Sequence, residues 1–272
     1  MAHSPIKYIF FDIDGTLLNR QGQVSQAVAN ELHRIQGLGI GTAIASGRPY
    51  FACRHLIKQF SLGGPGVFYS SALVYDSNRD QELYSEVLAS NDVQNIIQQA
   101  ERNNIYYELY TRDNYFIQQE HPYASVQEHY LKQRAQPCLI KELIRTHKIY
   151  KVVLTINEKS QKEDLRELKI ALPQFTFADA QGAEHKEILF SNITGPRATK
   201  SRAFESVLDY LRLTPEQVMA IGDSDSDKDF ITMAGTGVAM GDSPDEVKAV
   251  ANHITLSTDD DGVACALHEL IR

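Results

Sequence analysis

The sequence predicts an α/β fold, a mainly parallel sheet covered by helices on both faces and carrying a smaller α/β insertion. Three observations predict it. Apolar strand-like runs alternate with amphipathic helical segments at both ends of the chain. Four segments rich in Asp, Ser, Gly or Lys fall at the C-terminal ends of predicted strands, where open α/β sheets bind ligands. The stretch from about Leu83 to Glu184 carries none of these four segments and has an element order of its own.

The first strand is the run Ile9-Phe10-Phe11, which feeds Asp12-Ile13-Asp14-Gly15-Thr16. Alternation along an extended chain points Asp12 and Asp14 the same way. Two like charges that close repel, so the pair makes best sense around a cation. Magnesium fits, because a hard cation takes oxygen ligands and shares them with a substrate phosphate. The run therefore reads as the nucleophile strand of a phosphoryl-transfer enzyme. The plainer reading is a strand ending in an acidic turn, since Asp and Gly both favour turns.

Ser25 then caps a helix with Val28, Leu32 and Ile35 inward, stopped by Gly37 and Gly39. Gly41 to Ser46 is the next strand, followed by Gly47-Arg48-Pro49 and a helix from Pro49 to about Phe60. A hydroxyl and free backbone N–H groups at such a junction make an anion site. After the Gly63-Gly64-Pro65-Gly66 turn, Val67 to Tyr75 reads as one strand, and short β-hairpins are not expected in this part of the chain.

Between Leu83 and Glu184 the order is helix, two strands, helix, strand, helix, strand. Val93, Ile96, Ile97 and Ala100 form one helical face, and Leu165, Leu168 and Leu172 another. Ile105–Leu109 and Tyr115–Gln119 pair around Thr111-Arg112-Asp113-Asn114, a turn that reads either as a substrate-facing element or as an exposed tip. Further strands fit Tyr150–Ile156 and Phe175–Ala178.

Ala198-Thr199-Lys200 opens a helix whose apolar face is Phe204, Val207, Leu208 and Leu211, and Lys200 offers a point charge to a phosphate. The strand Val218–Ile221 runs into Gly222-Asp223-Ser224-Asp225-Ser226-Asp227. This turn is not a calcium loop, since its sixth position is Lys228 and its twelfth Ala234. A short helix, a strand near Val238 and a Ser243-Pro244-Asp245-Glu246 capping box follow.

With the four signatures in this order, the chain resembles the haloacid dehalogenase (HAD) superfamily, and within it the Cof-type phosphatases. Ala234 to Gly241 and Asp261-Gly262-Val263-Ala264 resemble the C-terminal pattern of that group. Three positions depart from it. Ser70-Ser71-Ala72 stands where the group has Asn-Gly-Ala, and Ser226 and Asp242 each replace an asparagine. These departures bear on substrate range and catalytic strength rather than on the fold.

The resemblance implies a Rossmann-like, HAD-like core of residues 1–82 and 185–272. Residues 83–184 are then an inserted cap over the site, hinged near 80–84 and 183–187. It implies that Asp12 attacks phosphorus to form an aspartyl-phosphate, and that Asp14 acts as general acid and then base. Mg2+ is expected on Asp12, the Asp14 backbone carbonyl and Asp223, with Asp227 in support. Ile13 N–H, Ser46, Gly47, Lys200 and Ser226 are expected on the phosphoryl oxygens. Relatives that are dehalogenases or ion pumps lack an acid at the second aspartate, so Asp14 favours phosphate monoesters. The expected activity is Mg2+-dependent hydrolysis of small phosphorylated metabolites, sugar phosphates above all. The alternatives are a phosphomutase of the same superfamily and a catalytically weak phosphometabolite-binding protein.

Composition narrows the partners. The 272 residues carry 27 Lys and Arg against 35 Asp and Glu, a net charge of −8 that argues against nucleic acid. No signal peptide and no long apolar run is read, so a membrane partner is not expected and the expected location is the cytoplasm. The 3 cysteines are far apart and odd in number, which reads as free thiols, and the 9 histidines show no zinc spacing. The sequence leaves the oligomeric state open.

Overall fold

The computed structural model describes residues 6–157, 159–181 and 185–271. Along the chain, β1 (Tyr8–Phe11), α1 (Gln26–Gly37), β2 (Gly41–Ile44) and α2 (Tyr50–Phe60) come first. Three strands follow, β3 (Pro65–Phe68), β4 (Leu73–Asp76) and β5 (Gln81–Ser85). The middle holds α3 (Ser90–Arg102), β6 (Tyr106–Tyr110), β7 (Tyr115–Ile117), α4 (Pro122–Leu131), β8 (Gln136–Pro137) and α5 (Ile140–Thr146). It continues with β9 (Lys151–Ile156), α6 (Lys159–Ala171), β10 (Thr176–Gln181) and β11 (Leu189–Thr194). The chain ends with α7 (Lys200–Leu211), β12 (Val218–Gly222), α8 (Lys228–Met233), β13 (Thr236–Ala239), α9 (Asp245–Lys248), β14 (His253–Ile254) and α10 (Gly262–Leu270).

These elements form two compact units, Met1–Gly47 with Arg54–Tyr84 and Lys200–Arg272, and Arg48–Cys53 with Ser85–Thr199. The first unit is built on a sheet of order β14-β13-β12-β1-β2, with every pairing parallel. Its strands β1 and β12 are buried along their whole length, as expected of central parallel strands covered on both faces. Ser25 caps α1, its hydroxyl accepting from Val28 N–H at 3.1 Å, and Val28, Leu32 and Ile35 are buried as the spacing predicts. On α7, Ala203, Phe204, Val207 and Leu208 pack into a core with Phe10 and Phe230. A Cβ on Gly237 of β13 would lie 2.1 Å from the Ile231 carbonyl oxygen, so α8 packs against this strand only because no side chain intervenes.

The expected single strand over 67–75 is instead a hairpin. Tyr69, Ser70 and Ser71 all take left-handed backbone conformations (φ 56, 52 and 75°), and β3 and β4 pair antiparallel across them. Three such residues in a row reverse the chain, a conformation that non-glycine sequence patterns do not announce. With β5 they form a separate three-stranded sheet. The Ser243 capping box does not form either. Pro244 occupies the cap of α9, and the Ser243 hydroxyl is buried without a hydrogen-bond partner.

The second unit is a six-stranded sheet of order β10-β11-β9-β6-β7-β8, antiparallel except for β7 with β8. Its core joins Leu109, Val152, Leu154 and Ile193 of the sheet to Ile96, Leu143 and Leu168 of α3, α5 and α6. Where one helix was expected between β7 and β9, two stand, α4 and α5, with β8 between them. The expected crossing at 183–187 lies partly outside the described residues. Beyond it, β11 pairs antiparallel with both β9 and β10, so residues up to 199 group with this unit and past the expected boundary at 184. The Thr111–Asn114 turn is not an exposed tip. Thr111 is buried, and Gln133 braces the turn by donating to the Asp113 carbonyl at 3.1 Å.

The placement of β11 yields a stability test. Ile193 is fully buried, so Ile193→Ala is expected to cost about 3 kcal/mol in chemical denaturation. A loss below about 1 kcal/mol would mean that the strand does not belong to this core.

Candidate active site

Parallel register builds the site. Phe11 of β1 lies opposite Ile221 of β12 on one side and Ile44 of β2 on the other. The residues that follow these three strands therefore emerge together, Asp12 in the centre with Asp223 and Ser46 on either side. Asp12 N–H donates to the Ile221 carbonyl at 3.0 Å, and Ala45 N–H to the Phe11 carbonyl at 2.9 Å, so the ladders run to the edge of the site.

Asp12 and Asp14 are not alternate residues of an extended strand. β1 ends at Phe11, and the chain curls at once, Leu17 N–H reaching back to the Asp12 carbonyl (3.3 Å) and Leu18 N–H to that of Ile13 (2.9 Å). The turn leaves Asp12 only 9 % exposed and Asp14 open to solvent. It depends on Gly15, whose φ is +83° and whose Cβ, if present, would lie 2.4 Å from an Asp223 carboxylate oxygen.

Asp12, Asp223 and Asp227 bring one carboxylate oxygen each to within 4.8 Å of one another. Burial, then the charges of Asp227, Asp14 and Asp223, hold the Asp12 carboxyl well above the usual carboxylate range. Burial and Asp227 likewise push Asp223 up to about 7, against the Thr16 hydroxyl, which donates to it at 3.1 Å and pulls the other way. Both shifts disfavour the charged carboxylates, which a counter-charge would stabilise. Three close carboxylate oxygens are a hard-oxygen donor set, and a divalent cation of the magnesium type fits them. The Asp14 carboxylate is not in this group, and the expected contact from that residue is its backbone carbonyl.

Asp227 organises the loop around it. One of its oxygens accepts from Ser224 N–H (2.9 Å), the Ser224 hydroxyl (2.7 Å) and Asp223 N–H (3.3 Å). The exposed Ser226 hydroxyl is engaged within the same loop, 2.9 Å from that of Ser224 and donating to Asp227 at 3.3 Å. On the other flank, Ser46 is buried and its N–H donates to the Val67 carbonyl at 2.9 Å. Ser70 sits beside Gly47, its hydroxyl 3.4 Å from where a Gly47 Cβ would be. Lys200, in the first turn of α7, holds its ammonium 5.4 Å from the centroid of Phe230. That ring packs edge-on against Phe10 at 5.2 Å, directly before the acidic turn.

The structure thus brings Asp12, Ser46, Lys200, Asp223 and Asp227 into one unit at one sheet edge. Arg48 lies in the second unit, with its guanidinium over Tyr130 at 4.4 Å. Thr16 and Ser224 were not assigned roles from sequence. Their only signal is position, one residue past Gly15 and one past Asp223, and the hydrogen bonds that matter depend on the folded turns.

Comparisons with known proteins identify the relatives of this chain. The family model for haloacid dehalogenase-like hydrolases matches residues 9–267. Among curated proteins, the chloroplastic endoribonuclease YBEY of Arabidopsis thaliana is 28% identical over 96% of this chain, which spans only 46% of that protein. The 5-amino-6-(5-phospho-D-ribitylamino)uracil phosphatase YitU of Bacillus subtilis is 26% identical, with 96% of each chain covered. Among solved structures, a haloacid dehalogenase-like hydrolase from Bacteroides thetaiotaomicron superposes with a TM-score of 0.88 at 26% identity, over 98% of this chain and 100% of that one.

The raised Asp223 carboxyl fixes a sign. Its value of about 7 lies above the ordinary 3.8, so its contribution to stability is present below the ordinary value and lost as pH rises through about 7. A divalent cation restores what is lost. The rise in Tm on adding Mg2+ or Mn2+ is therefore expected to be larger at about pH 8 than at about pH 5. Equal shifts, or none at the higher pH, would contradict the cation reading.

Proposed function

The chain belongs to the haloacid dehalogenase-like hydrolases, and from that premise we propose that it is a phosphoric monoester hydrolase working through Asp12. The observation that carries the reading is the meeting of Asp12 with Asp223 and Asp227 at the end of two adjacent parallel strands. Small phosphorylated metabolites are the proposed substrates, with sugar or polyol phosphates foremost. The phosphoribityl substrate in the name of the Bacillus relative supports that choice.

In the proposed reaction an Asp12 carboxylate oxygen attacks phosphorus. The bond from phosphorus to the ester oxygen breaks as the bond to Asp12 forms. Asp14, open to solvent and close enough for its charge to act on Asp12, donates its proton to the leaving alkoxide. It then takes a proton from the water that attacks the aspartyl-phosphate, which returns Asp12 and releases inorganic phosphate. Ile13 N–H, the Ser46 hydroxyl, Gly47 N–H and Lys200 are assigned to the phosphoryl oxygens. Charge stabilisation of this kind carries most of the acceleration in phosphoryl transfer. Ser226 is assigned to bracing Asp227, as its hydroxyl lies within that loop.

Asp12, Asp223, Asp227 and the Asp14 carbonyl would hold Mg2+, which supplies the positive charge that keeps Asp12 ionised and offsets the phosphate. The second unit is proposed as the cap that selects among leaving groups. The three cysteines, far apart in the sequence and odd in number, fit a reducing cytoplasm. Among the described residues, no helix is long and apolar enough to cross a membrane.

The test is phosphate release from a panel of sugar and polyol phosphates with and without Mg2+. Asp12→Asn is expected to lower kcat by about a thousandfold or more, as loss of a nucleophile does. Unchanged release in that variant, or full activity after chelation, would overturn the reading.

A further inference from the structure

The turn that carries Asp14 is held from the far end of the chain. Within the turn, the Asp12 and Ile13 carbonyls accept from Leu17 and Leu18 N–H, and Asp14 is bridged to Leu18. The Gly15 carbonyl accepts instead from the hydroxyl of Thr258, 243 residues later. Further along the same segment, Arg20 places its Nε 3.1 Å from the Asp259 carboxylate.

Thr258 stands on a braced loop. Thr255, directly after β14, donates its N–H to the Ala239 carbonyl at 3.0 Å and its hydroxyl to the Gly262 carbonyl at 2.6 Å. Gly241 N–H donates to the Leu256 carbonyl at 2.9 Å, and Gly262 N–H to that of Ser257 at 2.9 Å. The Ser257 hydroxyl closes the loop by donating to the Asp260 carboxylate at 2.6 Å. A Cβ on Gly262 would lie 2.1 Å from the Leu256 oxygen, so α10 starts against this loop only because no side chain intervenes. Thr258 therefore meets Gly15 from a support tied to the parallel sheet.

We propose that Thr258 is a positioning residue for Asp14, its hydroxyl fixing the backbone at Gly15 and so aiming the Asp14 carboxyl at the leaving oxygen. This rests on the general-acid role of Asp14 proposed above. Glycine has the most backbone freedom of any residue, so a turn that needs Gly15 at φ +83° also needs an outside hold. Asp14 is exposed, so little packing fixes its direction and the backbone must. A general acid works only within hydrogen-bond reach of its oxygen, and a misplacement of about 1 Å costs up to about a hundredfold in rate.

Leaving-group dependence in the full chain, at saturating Mg2+, tests this. The para-nitrophenolate ion leaves without a proton, whereas the alkoxide of a sugar or polyol phosphate needs one. Thr258→Val is expected to lower kcat/KM about tenfold for the fastest sugar or polyol phosphate of the panel, and by less than about twofold for para-nitrophenyl phosphate. Gly15 is half-buried, so water replaces the lost hydroxyl and this variant is expected to melt as wild type does. Thr258→Ser keeps the hydroxyl and is expected to match wild type on both esters. Asp259→Asn breaks the exposed ion pair with Arg20 and is expected to change neither. An equal loss on both esters in Thr258→Val, no loss at all, or the same loss in Thr258→Ser would overturn the proposal. Asp14→Asn separates the two levels. If it spares the nitrophenyl ester selectively and Thr258→Val does not, this inference alone fails. If it lowers both esters equally, or neither, the acid role of Asp14 is itself wrong.

Discussion

Like charges forced together by strand register are the constraint around which this protein is arranged. β1 and β12 run parallel and in step from Tyr8 opposite Val218 to Phe11 opposite Ile221. Nothing in that pairing can be changed without breaking the centre of the sheet, so Asp12 and Asp223 must emerge side by side. Burying an uncompensated carboxylate is costly, and burying two near a third is more so. The surroundings answer that cost locally. Thr16 donates to Asp223, two backbone N–H groups and the Ser224 hydroxyl converge on Asp227, and Gly15 makes room for the carboxylate of Asp223. What remains uncompensated appears as raised carboxyl groups at Asp12 and Asp223, and that residue of charge is what a dication neutralises.

The aromatic layer beneath the site serves the same constraint. Phe10 points from β1 into the cluster with Phe204 and Phe230, ring centroids 5.2–6.0 Å apart. These rings carry α7 and α8 against the sheet and place the Lys200 ammonium over Phe230. This one cluster therefore fixes both the strand that leads into Asp12 and the helix that begins with the only lysine assigned to the phosphate. Core and site are coupled here through packing rather than through a chain of polar contacts.

Much of this was legible in the sequence, and the reasons are local. Ser25 caps a helix with Val28, Leu32 and Ile35 inward, and Phe204, Val207 and Leu208 follow Lys200 at helical spacing, so pattern and burial agree. The acidic, serine and lysine segments are legible because each ends a strand or opens a helix. The misreadings share a different cause. The reversal at Tyr69-Ser70-Ser71 uses left-handed backbone without glycine, and the curl after Phe11 is set by hydrogen bonds back to Asp12 and Ile13. The second sheet hid most from pattern reading. Its face opposite the helices buries Glu108 and Lys151, with Tyr106 and Tyr110 donating to Glu108 at 3.0 and 2.6 Å. Burial pushes Glu108 up to about 7 and Lys151 down to about 8. A charged residue in each of two neighbouring strands would ordinarily mark a solvated face, and only the burial of Glu108 and Lys151 shows that this one is not.

The central claim is that phosphate passes through Asp12 before water takes it, and the stereochemical course at phosphorus tests that most directly. A small phosphate ester made chiral with oxygen isotopes would be hydrolysed to inorganic phosphate in isotopically labelled water. Two in-line displacements, first by Asp12 and then by water, give net retention of configuration. Net inversion would mean a single direct attack by water and would contradict the covalent role of Asp12.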